Sequence, residues 1–412
     1  VLTTAKNLHP TNRQLSLKEA ELLSLTNRQS EAITLLNEIE IFEQTNPEFH
    51  IIKASVLSQK GNYSKAIDAL SRALEFTSED KDNIYLNLAV EYQNLEDYRT
   101  AITYLKEALS IEPNNEDAIY ELAYCFELSK DYDDAVSTFN NLIDQVPYNE
   151  HAWFNLGASY QAKADFSKAA TAFDYALVID ENFHAALFNK ANILVQLNRY
   201  QEAIDLYKRA LSFEILDTLI YFYIGDCYDN LEDHRSALTY FEKALRKDED
   251  MAEAWLAASS SLDMLGRELE ALEYAKKAIE LEPENEDYPF FIAGLFAKYD
   301  LPDDALNAYE KTIEFGYLNE DVWVDYIQLC LSINNDALAK DVVDRALEVH
   351  SENHYIKLYE AVLNFRSKNE DEGFEQLVNL LVLKPELIEE FILFYPKGME
   401  TEEIQFLIES LK

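Results

Sequence analysis

The sequence predicts an all-α protein, built as an α-solenoid of antiparallel helix pairs. An alanine recurs at a fixed step along almost the whole chain, and two apolar stripes with helical spacing alternate within each step. Glycine and proline are scarce, with 8 and 9 of the 412 residues, whereas 48% of the residues are hydrophobic. This composition excludes a disordered or collagen-like chain and favours a folded, repetitive array.

The recurring alanine belongs to a motif of the form KAxxxY/FxxAL. Successive alanines are 34 residues apart, except for one step of 35 between Ala66 and Ala101. The set comprises Ala32, Ala66, Ala101, Ala135, Ala169, Ala203, Ala237, Ala271, Ala305 and Ala339, and Gly373 takes the same position once more. The spacing predicts about eleven repeats that start near residues 13, 47, 82, 116, 150, 184, 218, 252, 286, 320 and 354.

The fifth repeat shows the pattern of a buried first helix most clearly. Its apolar stripe consists of Trp153, Leu156, Gly157 and Tyr160, at i, i+3, i+4 and i+7. Glycine costs about 1 kcal/mol against alanine inside a helix, so Gly157 needs a compensating contact. Other repeats carry mostly alanine or glycine at this position. We therefore expect two helices to cross closely there, with no room for a larger side chain.

These features resemble the tetratricopeptide repeat (TPR) family, whose unit of about 34 residues carries a W-x2-L-G-x2-Y…A-x3-F…A…P signature. The fifth repeat and the seventh match best, the seventh through Tyr221, Gly225, Tyr228, Ala237, Phe241 and Ala244. The match is weakest at the ends, where Ser16 and Lys357 take the tryptophan position. The resemblance implies a right-handed superhelix with a concave face lined by the first helices.

The predicted organisation has three parts. Residues 1–12 form an N-terminal lead-in, 13–387 form the repeat array, and 388–412 form capping helices. The cap is predicted from an apolar pattern that comprises Phe391, Phe394, Tyr395, Ile404, Leu407, Ile408 and Leu411. Ends of repeat arrays need covering, and the alternative is a docking helix for a partner or for self-association.

Charge and cysteine content narrow the possible partners and the compartment. With 77 acidic and 35 basic residues, the net charge of −42 disfavours nucleic acid as a ligand. No apolar run of about 18 residues exists, so membrane insertion is not expected. The sparse cysteines Cys125, Cys227 and Cys330 suggest a reducing, cytoplasmic location. The chain begins at Val1 without a leader, which leaves open a missing upstream segment.

The sequence predicts no catalytic, cofactor or metal site. His350 and His354 are four residues apart, but they lack the H-E-x-x-H arrangement of a zinc protease and fall between repeats. The acidic run 131–134 lacks a calcium-binding loop pattern and instead fits the first turn of a helix, where carboxylates are favoured. We expect a protein that is not an enzyme.

The candidate binding residues begin one residue after the position that carries tryptophan in the TPR signature. The resemblance implies that this position faces the concave groove, where it holds Leu86, Tyr120, Phe154, Phe188, Phe222, Leu256 and Phe290. Asparagines that could pair with a peptide backbone come next, namely Asn87, Asn155 and Asn189. Asn192 alone matches the asparagine of chaperone-tail clamps, so that subclass is not expected. The alternative is that the aromatic rings only pack between adjacent first helices.

Three functional hypotheses follow. The leading one is a non-catalytic scaffold that binds a peptide segment or helix of a partner protein in its concave groove, with basic partners favoured by the acidic surface. The second is the regulatory or substrate-selecting portion of an enzyme complex whose catalytic domain lies elsewhere. The third is self-association through the ends of the array.

Overall fold

The computed structural model describes residues 12–211, 217–283, 285, 287–316 and 318–410. Within these ranges all regular secondary structure is helical, with 24 α-helices and one short 3-10 helix at Pro396–Glu400. Consecutive helices pack in pairs from α1 with α2 to α21 with α22, and turns of two or three residues join the two members. The predicted all-α solenoid of antiparallel pairs is therefore confirmed.

Along the described residues, no other helix or strand lies between successive pairs. The first helices are α1 (Arg13–Leu25), α3 (Pro47–Gln59), α5 (Lys81–Asn94), α7 (Glu116–Ser129), α9 (Glu150–Ala162), α11 (His184–Gln196), α13 (Asp217–Asn230), α15 (Ala252–Met264), α17 (Asp287–Lys298), α19 (Glu320–Ser332) and α21 (His354–Arg366). The second helices are α2 (Gln29–Glu43), α4 (Tyr63–Phe76), α6 (Tyr98–Ile111), α8 (Tyr132–Gln145), α10 (Phe166–Ile179), α12 (Tyr200–Ala210), α14 (His234–Lys247), α16 (Glu268–Leu281), α18 (Pro302–Glu314), α20 (Asp336–Val349) and α22 (Glu370–Leu383). Two further helices follow, α23 (Leu387–Phe394) and α24 (Glu402–Ser410).

The chain divides into two compact units, Val1–Ser212 and Phe213–Lys412. Unit 1 contains α1 to α12, and unit 2 contains α13 to α24. The predicted division into a lead-in, eleven repeats and a cap stays a prediction. Residues 1–11 of the lead-in and Leu411 of the cap lie outside the described residues, and nothing is described of the Ile408 side chain.

The alanine that defines the period is fully buried in every repeat that carries it, from Ala32 to Ala339. It lies in the first turns of the second helix, where that helix packs against the first. A larger side chain at this depth would force the two helices apart, because protein interiors are close-packed. The recurrence of this alanine in the sequence therefore reflects the packing of the two helices within each pair.

Each first helix ends in the same turn geometry. A residue with a positive φ lies in the turn of every pair, and among the described residues only three of those with a positive φ are glycine, including Gly61 and Gly266. A left-handed residue ends a helix by satisfying its last carbonyl groups. An aspartate often follows and caps the second helix, as Asp131 does by accepting a hydrogen bond from the backbone N–H of Asp134. The acidic run 131–134 is therefore a helix start.

The contact at the internal glycines differs from the close helix crossing predicted from the sequence. A Cβ atom added to Gly157 would lie 2.7 Å from the ring of Phe173, and one added to Gly225 would lie 2.6 Å from the ring of Phe241. Both rings come from the second helix of the same pair and are fully buried or nearly so. The glycine therefore makes room for a phenylalanine ring, and the nearest obstacle is that ring and not the partner backbone.

The surroundings of the three cysteines and of His350 fit a structural role. Cys125, Cys227 and Cys330 are buried free thiols, and burial raises the pKa of Cys227 and of Cys330 to about 12. Such thiols stay protonated and are poor nucleophiles. His350 contacts the carbonyl oxygen of Leu318 through Nε2 at 2.6 Å. Among the described residues, no group of three or more His, Cys, Asp or Glu side chains could hold a metal ion.

The C-terminal helices pack onto the last pair. Phe391 of α23 is fully buried, and its ring lies 5.3 Å from that of Phe365 of α21. Glu390 accepts hydrogen bonds from Gln328 of α19 at 3.0 Å and from the Tyr359 hydroxyl of α21 at 2.9 Å. Ile404 of α24 is also fully buried. Apolar packing and a polar network thus hold α23 to two first helices of unit 2.

A buried carboxylate lies on α5 of unit 1. Glu91 is almost fully buried, and its Oε2 atom has no hydrogen-bond partner among the described residues. Burial raises the pKa of Glu91, and a hydrogen bond with Ser58 of α3 offsets only part of this effect. The folded state therefore binds the proton of Glu91 more tightly than the unfolded state does. Stability falls as the pH rises from the unfolded pKa through the folded one.

Replacing Glu91 by glutamine should therefore stabilise the protein at neutral pH. We expect the free energy of unfolding to rise by about 1 kcal/mol at pH 7, and the gain to vanish below about pH 4, where the carboxyl group is protonated in both states. Denaturant titrations at both pH values measure this difference. The exposed Glu107 on α6 provides the matched Glu→Gln control, which should change little. A loss of stability in Glu91→Gln at pH 7 would contradict the expectation.

Candidate functional site

A groove of about 580 Å³ lies along the first helices of unit 1. We call it the α7–α9 groove, because most of its lining comes from these two helices. Its lining residues are Tyr120, Ala123, Tyr124, Phe126, Glu127, Tyr132, Phe139, Phe154, Asn155, Ala158, Ser159, Gln161, Ala162 and Asn189. Four of the candidates predicted from the sequence are thus brought together here, namely Tyr120, Phe154, Asn155 and Asn189.

The α7 wall of the groove is a stripe of large side chains. Tyr120, Tyr124 and Glu127 are at i, i+4 and i+7, so they lie on one face of the helix. Tyr120 is 71% exposed and Tyr124 is 45% exposed, both high fractions for aromatic side chains. Phe126 and Phe139 are buried beneath them, with ring centroids 6.0 Å apart, and make the floor rigid. This wall therefore offers aromatic surface on a packed base.

The α9 wall combines Phe154 with several small side chains. Ala158 and Ala162 stand one helical turn apart, and Ala158 takes the repeat position that Tyr124 holds on α7. The groove is open because large residues on one helix face small ones on the next. Asn155 lines the same wall, and its side-chain amide makes no hydrogen bond with another described residue. This amide can therefore donate to and accept from a peptide backbone.

The predicted phenylalanines of the aromatic ladder are half-buried and pack against their own second helices. Phe154 lies 5.6 Å from Phe173 and 5.2 Å from Phe183, measured between ring centroids. The other pairs have the same arrangement, namely Phe188 with Tyr207 at 5.9 Å, Phe222 with Phe241 at 5.6 Å and Phe290 with Tyr309 at 6.4 Å. These rings contribute to the core, and only Phe154 among them also lines the α7–α9 groove.

The remaining candidates lie elsewhere or have internal partners. Leu86 and Leu256 are half-buried against core clusters, and Asn87 is exposed. Asn192 accepts a hydrogen bond from the hydroxyl group of Tyr207, and Asn189 donates one to the Ala185 carbonyl oxygen at 2.9 Å. These two amides are therefore less available to a ligand than that of Asn155.

Sequence reasoning missed the residues that give the groove its shape and charge. Tyr124, Glu127, Ala158 and Ala162 were not among the candidates, although the i+4 and i+7 spacing from Tyr120 was a usable signal. Glu127 is the one charged side chain in the groove lining, and no ion pair joins it to another described residue. The groove is therefore aromatic and apolar with a single unpaired carboxylate.

Sequence comparison settles the family. Models described as tetratricopeptide repeat match residues 47–80, 95–160, 154–216 and 224–286, which together span more than half of the chain. The chain belongs to the tetratricopeptide repeat family. The TPR family is generally a non-catalytic one that provides scaffolds for protein interactions, and the matching repeats support an interaction scaffold here. No curated protein matches it.

Three solved structures are similar to the TPR chain. YrrB, described as a TPR protein with an unusual peptide-binding site, is 23% identical with a TM-score of 0.38, over 44% of this chain and 93% of YrrB. MamA is 21% identical with a TM-score of 0.37, over 42% of this chain and 95% of MamA. A chain of the APC/C hetero-tetramer Cut9–Hcn1 is 14% identical with a TM-score of 0.43, over 87% of this chain and 84% of that one.

None of the described helices combines the length and the apolar character that crossing a bilayer requires.

Proposed function

We propose that this TPR protein binds a peptide segment or helix of a partner protein in the α7–α9 groove. The observation that carries the proposal is Tyr120, a large aromatic side chain that is mostly exposed on the wall of an open groove. Exposed aromatic surface in a concave site is costly in water and is typical of a binding surface. Phe154 supports the opposite side from a position fixed by its packing against Phe173 and Phe183.

Polar groups in the groove suit a peptide ligand. The unpaired amide of Asn155 can bond both an N–H and a C=O group of a peptide, which holds the backbone while side chains enter the groove. The net charge of −42 favours basic partners, because it accelerates their encounter with the protein. Association should therefore slow as the salt concentration rises.

The proposal predicts that Tyr120 is a binding hot spot. Peptides selected from a random-sequence display library on the unmodified chain would serve as ligands, with fluorescence anisotropy as the measurement of Kd. We expect Tyr120→Ala to weaken their binding by at least about tenfold, because an aromatic anchor near the centre of a site contributes about 2 kcal/mol. The variant should fold normally, since most of this side chain is exposed.

The matched control is Tyr148→Ala. Tyr148 lies in the turn before α9, is 86% exposed and does not line the groove. Its loss should leave Kd unchanged within about twofold, as expected for a residue outside the binding site. If Tyr120→Ala binds the selected peptides as well as the control variant does, the groove is not the binding site and the proposal fails.

A further inference from the structure

We propose that the α7–α9 groove contains a cation-binding subsite, formed by Tyr120, Tyr124 and Glu127, that takes an arginine or lysine side chain of the bound peptide. This inference rests on the proposed function and specifies the chemistry of the ligand. It makes the partner segment basic at one defined position, beyond a general preference for positive charge.

The first support is the unpaired carboxylate. Among the described residues, three exposed glutamates pair with an arginine three residues earlier, namely Glu31 with Arg28, Glu202 with Arg199 and Glu270 with Arg267. At Glu127 the residue three positions earlier is Tyr124, and Lys130 on the other side forms no ion pair with it. A ligand that covered this carboxylate with apolar surface would leave a desolvated charge without compensation, whereas a cation would compensate it.

The second support is the position of the tyrosine rings. Tyr124 lies three residues from Glu127 on the same helix face, so a cation held by the carboxylate would lie close to the Tyr124 ring, and Tyr120 continues the stripe one turn further along. Tyrosine rings in this protein do accept cations where one is within reach, since the Nζ atom of Lys243 lies 4.0 Å from the ring centroid of Tyr240. No cation of the described chain lies over Tyr120 or Tyr124.

The third support is the space opposite the tyrosines. Ala158 and Ala162 leave room for a long side chain to lie between α7 and α9 with its aliphatic stem against apolar surface. The head group would then reach Glu127 at the exposed end of the stripe. Arginine and lysine have this combination of an apolar stem and a charged end.

The test is a thermodynamic cycle between the peptide and the protein. The probe is a peptide selected on the unmodified chain, together with a version in which its arginine is replaced by citrulline, a neutral group of the same shape. On the unmodified protein, citrulline should weaken binding about tenfold, because the charge-assisted contact is lost. On Glu127→Gln it should weaken binding less than about twofold. The control Glu107→Gln, at an exposed carboxylate of α6 outside the groove lining, should behave like the unmodified protein.

A second pair of variants distinguishes a cation–π contact with the tyrosine ring from simple apolar contact. Tyr124→Phe should keep most of the affinity for the arginine peptide, whereas Tyr124→Leu should lose about fivefold because it lacks a π-face. The cation subsite is overturned if selected peptides lack arginine and lysine, or if citrulline weakens binding equally on Glu127→Gln. In either case peptide binding that depends on Tyr120 would still support the groove. If no peptide depends on Tyr120, the proposed function fails as well.

Discussion

Replacing Phe391 by alanine is expected to lower the stability of the C-terminal end of unit 2 by about 3 kcal/mol. The side chain is fully buried and packs against Phe365 and Tyr395, and large-to-small changes at such sites leave a cavity in addition to losing apolar burial. In a repeat array each element contacts mainly its neighbours, so the loss should appear as local opening of α23 and α21. Hydrogen exchange of these helices should accelerate about 100-fold, whereas α13 and α14 should be unaffected.

The control for this variant is on the same helix. Leu393 of α23 is 66% exposed, so Leu393→Ala should change stability by less than about 0.5 kcal/mol. This comparison tests whether α23 is a cap, as the sequence suggests, or a helix kept for docking. A cap must protect α21, and unchanged exchange of α21 in Phe391→Ala would reject that role. The polar network of Glu390 with Gln328 and Tyr359 makes α23 an integral part of the fold.

Replacing Gly157 by leucine is expected to cost about 3 kcal/mol of unfolding free energy. Its Cβ atom would lie 2.7 Å from the ring of Phe173, which is fully buried and has no free space to enter. Overpacking of this kind forces side chains out of their rotamers and shifts the backbone. Denaturant unfolding measures the loss. Replacing Phe173 by leucine should restore part of it, so Gly157→Leu with Phe173→Leu should be more stable than the sum of the two single changes predicts.

Gly294 provides the contrasting glycine. It lies within α17, and a Cβ atom added there would meet nothing within 4 Å. Gly294→Ala should therefore be neutral or stabilise the protein by up to about 1 kcal/mol, since alanine favours the helix. If Gly157→Leu were as harmless as Gly294→Ala, the ring contact would not explain why glycine occupies the internal position.

The proposed binding site was accessible to sequence reasoning only in part. The position after the tryptophan position predicted Tyr120, Phe154 and the neighbouring asparagines as candidates, since the position within a repeat fixes the face of the helix. It could not separate Tyr120, which is exposed, from Phe188 and Phe222, which pack against rings of their second helices. All three occupy the same position of the repeat, and the exposure of each side chain depends on the side chains that pack against it.

The sequence alone determined the repeat, the helix pairs and the family. These follow from patterns that are local to one repeat, such as the step of 34 residues from Ala101 to Ala135 and the buried stripe around Trp153. Only the tertiary structure decided where the groove opens, why Gly157 is glycine and which carboxylate lines the groove. Each depends on how a side chain meets one from another helix, and a groove exists because Tyr124 on α7 faces Ala158 on α9, 34 residues away in the chain.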